Sequence, residues 1–120
     1  MSDARDFSVE MFSRSDAKDV DGWTALMTDD VHFVFGNGDP IDGRDKVHEV
    51  IAGFFDSIQA IKHEVLEAWT VDDKLFQKLQ VTYTRLDGGV LSVPAANILT
   101  MRDGLISEYL IYVDNSALYV

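Results

Sequence analysis

The amino-acid sequence predicts an α+β domain: three helices gathered early in the chain, packed on one face of a curved, mostly antiparallel sheet whose strands follow as a meander. Two patterns carry this reading. Between Ile61 and Val113 apolar residues alternate with polar ones, and the alternation breaks at Asp72-Asp73, Asp87-Gly88-Gly89 and Asp103-Gly104. Those residue types adopt the positive φ that tight hairpin loops need. The odd-numbered side of the strands is also almost wholly apolar: Ile61, Val65, Trp69, Val71, Leu75, Leu79, Val81, Leu91, Val93, Ala95, Leu99 and Met101, with His63, Gln77, Tyr83 and Asn97 set among them. A sheet face of that kind is either covered or binds something.

The elements follow in order. Ala4, Phe7, Met11 and Phe12 recur at helical spacing and predict a first helix, capped by Ser2 or Asp3. Val20, Trp23, Leu26 and Met27 mark a second, with Asp19 as N-cap and Asp29-Asp30 as its end. The period then drops to two, so residues 31–35 (Val-His-Phe-Val-Phe) read as a strand closed by Gly36-Asn37-Gly38. A loop over residues 39–43 leads to a third helix with the apolar stripe Val47, Val50, Ile51, Phe54, Phe55 and Ile58. Pro94 falls inside the third strand of the meander; having no N–H to give, it predicts an edge, a bulge or a bend there.

Length and composition narrow the function. The 120 residues make one domain, 1–120, large enough for a single core. With 47% hydrophobic and 26% charged residues the chain is too apolar for disorder. Twenty-one acidic against 10 basic residues give a net charge of −11, and Lys and Arg are nowhere clustered, so neither nucleic acid nor an anionic membrane is an expected partner. Without cysteine there is no disulfide, thiolate zinc site or cysteine nucleophile. His32, His48 and His63 have no metal-ligand spacing, so no histidine metal site is expected. Residues 1–10 carry no apolar run or basic leader, and nothing approaches the roughly 18 apolar residues of a membrane helix; a cytoplasmic protein is expected.

Residues 19–36, DVDGWTALMTDDVHFVFG, resemble the opening of the nuclear transport factor two superfamily, where an acidic turn, a Trp-bearing helix and an Asp-Asp pair lead into the first strand. Gly43-Arg44-Asp45 and the closing segment 105–114, LISEYLIYVD, are similar to its SnoaL-like branch. The resemblance implies a cone-shaped α+β barrel, open at one end, whose concave sheet and third helix enclose an apolar cavity. It also implies a homodimer through the outer sheet face, here the polar even-numbered face of Lys62, Glu64, Lys78, Gln80, Thr82 and Thr84.

The same resemblance allows the chemistry to be tested residue by residue. Ketosteroid isomerases of this fold place a carboxylate base at the end of the first strand. Phe35 stands there, which cannot take a proton; the nearest carboxylates are Asp39 and Asp42 in the following loop. The position of their protonated aspartic acid corresponds to Asn97, whose amide N–H can act as an oxyanion donor. Scytalone-dehydratase-like members use a histidine on the first strand of the meander and an aspartate near the second helix. His63 corresponds to the histidine, and Asp19, or in second place Asp16, to the acid. The Asp-Arg-Asp network of limonene-epoxide-hydrolase-like members meets Lys78, Gln80 and Ile111 here, which argues against that chemistry.

Two functions stay open at this point. One is a cofactor-independent isomerase, dehydratase or cyclase acting on a small apolar cyclic molecule, with His63, Asp19 and Asn97 catalytic and Tyr83, Trp69, Tyr109, Phe35, Phe54 and Phe55 lining the substrate. The other is a ligand-binding or accessory domain of the same fold without chemistry, in which His63 and Asn97 are structural.

Overall fold

The computed structural model describes residues 3–119, excluding the side chain of Tyr119, and has the expected α+β architecture. Helices α1 (Asp3–Asp16) and α2 (Val20–Thr24) precede strand β1 (Met27–Phe35). The two-residue strand β2 (Ile41–Asp42) and helix α3 (Arg44–Asp56) follow. Strands β3 (Ile58–Val71), β4 (Lys74–Arg85), β5 (Val90–Arg102) and β6 (Leu105–Val113) complete a six-stranded sheet in the order β2-β1-β6-β5-β4-β3. Every pairing is antiparallel except β1 with β6. A 3₁₀ turn, Ser116–Tyr119, ends the described chain. None of its helices is long and apolar enough to cross a membrane.

Several expected boundaries move. The second helix stops at Thr24, and Asp29-Asp30 lie inside β1 instead of ending the helix. Asp29 meets Arg44 at 2.5 Å and Asp30 meets Arg102 at 2.6 Å, so both acids are neutralised from neighbouring elements while exposed on the strand. Ile58 opens β3 instead of closing α3. Asp19 does cap α2, its carboxylate accepting from the Gly22 N–H at 3.0 Å. The cap expected at Ser2 lies outside the described residues. Gly43, at φ 99°, gives α3 its entry: its N–H donates to Val31 O at 2.8 Å, in a conformation that a side chain would strain.

The three hairpins are where the turn residues put them, with Asp72 (φ 55°), Gly88 (φ 88°) and the pair Asp103 (φ 54°) and Gly104 (φ 80°) all left-handed. Pro94 meets Gln80 across β4 without a register shift, and β6 begins pairing with β5 only at Ala95. The proline therefore sits on a locally one-sided stretch of strand, the edge solution among the three expected.

The bulge that matters is in β3. Val65 pairs with Leu79 and Glu67 with Lys78, leaving Leu66 as an extra residue. Parity along the strand inverts there. Before the bulge Ile61, His63 and Val65 face the concave side; after it Trp69 pairs with Phe76, and the two rings stack at 5.6 Å on the outer face. Trp69 and Val71 are exposed, at 47% and 54%. The expectation that Trp69 lines the cavity is thus corrected. The concave core itself, with Phe33, Leu79, Tyr83, Leu99 and Tyr109 under α1, α2 and α3, is fully buried.

Hydrogen bonds from Arg102 and then Thr28 hold the Asp30 carboxyl down at about 2, against an ordinary 3.8. A depressed folded-state value means that this contribution is complete above pH 4 and disappears as pH falls through about 2. Asp30→Asn is accordingly expected to lower the urea midpoint at pH 7, with the two proteins' midpoints converging towards pH 2; a constant difference across pH 2–7 would contradict it.

Candidate functional site

On the concave side, a sheet row runs from Gln77 on β4 through Asn97 on β5 and Ile111 on β6 to Phe35 on β1; the next row runs Leu75, Leu99, Tyr109 and Phe33. With α2 and α3 above them, these rows enclose about 40 Å³ of free space. His63, Tyr83 and Asn97 face it, in keeping with their strand parity, and Tyr109, Phe35, Phe54 and Phe55 line it with them. Ser15, Trp23, Phe33 and Ile51, which the sequence reading had assigned to the core or left out, face it as well. Trp23 sits in the second helix at core spacing, and nothing in that spacing distinguishes a cavity wall from ordinary packing.

The space is small. A cavity that binds benzene measures about 150 Å³, whereas about 40 Å³ accommodates only a few waters or a few non-hydrogen atoms. Phe35, Ile51 and Phe54 separate it from a second, surface hollow bordered by Asn37, Gly38, Asp39 and Val50. Phe54 is half-buried and packs edge-on against Phe35 at 5.2 Å and Tyr83 at 6.2 Å. It is the wall residue whose movement would join the two spaces.

His63 is held from α1. Its Nδ1 lies 2.6 Å from Asp16 Oδ1, and its backbone N–H donates to Asp16 Oδ2 at 3.0 Å. Phe12, one helical turn earlier, stacks on the imidazole at 4.3 Å. The carboxylate can only accept from Nδ1, so the neutral ring has Nδ1–H and a free lone pair on Nε2. The carboxylate partner is therefore Asp16; the Asp19 assignment is corrected, since the Asp19 side chain is exposed and spent on its helix cap. The other two histidines are held at the surface: His32 by Asp42 at 2.6 Å and His48 by Asp21 at 2.5 Å. Asp39 is exposed on the loop, away from His63.

Asn97 belongs to a buried polar chain. Ser8 Oγ donates to Ala4 O at 2.6 Å, Gln77 Nε2 donates to Ser8 Oγ at 2.8 Å, and Asn97 Nδ2 donates to Gln77 Oε1 at 3.0 Å. The order is forced. The Ala4 carbonyl takes the one hydroxyl proton of Ser8, so Ser8 can only accept from Gln77; the Gln77 oxygen then faces Asn97 and takes its N–H. Asn97 Oδ1 is buried without a hydrogen-bond partner. One of the two N–H bonds of the Asn97 amide is engaged with Gln77, and the atom left wholly unpaired is an acceptor.

Trp23 Nε1 is likewise buried without a partner meeting hydrogen-bond geometry, although it lies close enough to Tyr109 to oppose that phenol's shift slightly. Burial outweighs it and pushes the Tyr109 hydroxyl far above its ordinary value, so the phenol stays neutral. No group of three or more acidic or histidine side chains among the described residues could hold a metal ion.

A cone of six strands closed by three helices over an aromatic cavity, with a carboxylate-held imidazole on its wall, defines the class of small-cavity α+β barrels. Residues 9–109 match the SnoaL-like domain, and the chain belongs to that family. No curated protein matches the sequence. Among solved structures it is similar to a nuclear-transport-factor-two-like protein of unknown function from Burkholderia pseudomallei (TM-score 0.86, 15% identity, covering 98% of this chain and 95% of that one). It is similar too to a putative polyketide cyclase from Silicibacter (0.79, 22%, 98% and 93%). A third is a ketosteroid-isomerase-like protein from Catenulispora acidiphila in complex with trimethylamine (0.82, 16%, 89% and 84%). At these identities the likeness speaks for the fold.

Because Phe54 is half-buried and borders free space, Phe54→Ala is expected to cost only about 1–2 kcal/mol, below the 3–5 of a fully packed phenylalanine. Denaturant unfolding checks this, and a loss near 4 would mean the ring is packed on all sides.

Proposed function

We propose that the protein is a cofactor-independent enzyme, an isomerase, dehydratase or cyclase, in which His63 is the general base for a small, largely apolar cyclic substrate. The observation that carries this is the Asp16–His63 pair at the cavity wall, 2.6 Å apart, with the imidazole stacked on Phe12. Asp16 fixes the tautomer and stabilises the imidazolium formed when Nε2 takes a proton; Phe12 fixes the plane of the ring. Tyr109, kept neutral by burial, and Tyr83 are the hydroxyls on the wall that can face charge developing on the substrate. The putative cyclase among the similar folds fits this reading.

A second reading, a ligand-binding domain without chemistry, is favoured by Phe35 at the usual carboxylate position and by the small volume of the cavity. Proton exchange separates the two. Small cyclic ketones incubated with the protein in D2O are expected to gain deuterium next to the carbonyl, followed by NMR. His63→Ala should slow this by about 100-fold or more, and Asp16→Asn less. Binding without exchange, or exchange indifferent to His63→Ala, would establish the second reading.

We also propose a homodimer through the outer sheet face. After the bulge that face carries an apolar row across five strands, Trp69, Phe76, Ile98, Leu110 and Val34, each the register partner of the next. Lys74 and Lys78 border it together with Glu67 and Glu108, so a second copy related by a two-fold axis would bring basic groups onto acidic ones. Light scattering is expected to give a dimer, with Trp69→Ser weakening it at least about tenfold; a wild-type monomer at high concentration would refute this.

A further inference from the structure

The buried polar chain has a direction, and that direction says what the cavity asks of its ligand. Asn97 is 2% exposed, and its Oδ1, which accepts, is buried without a partner. His63 Nε2, whose ring is turned by Asp16, also accepts. Neither can be satisfied by a ligand carbonyl or ether oxygen. Among the described wall residues, the buried donor atom without a partner meeting hydrogen-bond geometry is the Trp23 indole nitrogen, in a side chain 4% exposed.

We infer that the cavity is built for a neutral hydroxyl, which donates its proton to Asn97 Oδ1 and accepts from the Trp23 N–H, with an apolar ring or chain as the rest of the molecule. A hydroxyl has one proton and two lone pairs, which suits a cavity wall that carries one orphan acceptor and one orphan donor. A cationic head group fits less well. The Asp16 carboxylate is occupied on both oxygens by His63 and does not border the cavity, so a buried ammonium would lack a counter-charge. Phe54 forms the door, since it stands between this space and the surface hollow. The assignment rests on the cavity being the substrate site proposed above and narrows that substrate to one that carries a hydroxyl.

The test is a matched series, phenol, anisole and toluene, titrated into the wild-type protein and into Phe54→Ala, whose shortened side chain makes room for a ring. Phenol is expected to bind at least about tenfold more tightly than the other two, because the ether and the hydrocarbon leave the Asn97 oxygen unpaired. The indole ¹H–¹⁵N resonance of Trp23 should move with phenol and stay still with toluene. Asn97→Leu should abolish the preference and Asn97→Asp, which keeps an acceptor, should retain it; if either variant fails to fold, the series on the unaltered Asn97 still decides.

Equal binding of the three compounds, or no binding by any of them in both proteins, overturns the inference and leaves the two orphan groups to ordered water. Deuterium exchange that depends on His63 together with equal binding would uphold the base and reject only the hydroxyl. Phenol selectivity without exchange would do the reverse.

Discussion

Everything in the concave half of this fold depends on how α1 is tied across the sheet. An amphipathic helix can slide on an apolar surface at little cost, because apolar contact is not directional. Here two polar ties sit within the contact. Ser8, in the middle of the helix, anchors the buried amides of Gln77 and Asn97, and Asp16, at its end, grips both the side chain and the backbone of His63. Buried hydrogen bonds that cannot be exchanged for water hold the helix in one register. The imidazole's orientation, the stacking of Phe12 and the shape of the cavity follow from that register.

Much of this was legible before any coordinates. Period and turn chemistry gave the helices, the hairpins and the concave set, because alternation is a backbone property that residues 61–65 and 74–101 obey without interruption on that face. His63, Tyr83 and Asn97 share a cavity for that reason. The reading failed where a single residue was added. Leu66 is an ordinary apolar residue, and nothing in its type announces a bulge, yet every residue after it in β3 changes sides, Trp69 among them. The outer face, which reads as polar from Lys62 to Thr84, thereby acquires an aromatic row.

The remaining misses have a common physical origin, in partners distant along the chain. Asp16 and Asp19 are both acids near a helix boundary, and which of them meets His63 depends on how α1 lies over β3, 47 residues away. The Asp-Asp pair looks like a helix stop until Arg44 and Arg102 are seen to neutralise it within a strand. Ile41-Asp42 pairs for two residues only, too short for any pattern to register. The amide of Asn97 offers a donor and an acceptor equally in sequence; only Gln77 and Ser8 decide between them.

That last dependence separates the place where the cavity's character is set from the place where it is felt. The sense of the amide row is imposed at the Ala4 carbonyl, in the first turn of α1, and is handed inward one proton at a time until it emerges at Asn97. Were the Ser8 hydroxyl to point the other way, both amides would turn over and the same wall would present N–H in place of oxygen. A family built on this barrel thus has a way to exchange taste for one kind of molecule against its opposite by editing the first turns of a helix, around Ala4 and Ser8 and outside the cavity wall, while every residue of the binding chamber keeps its identity.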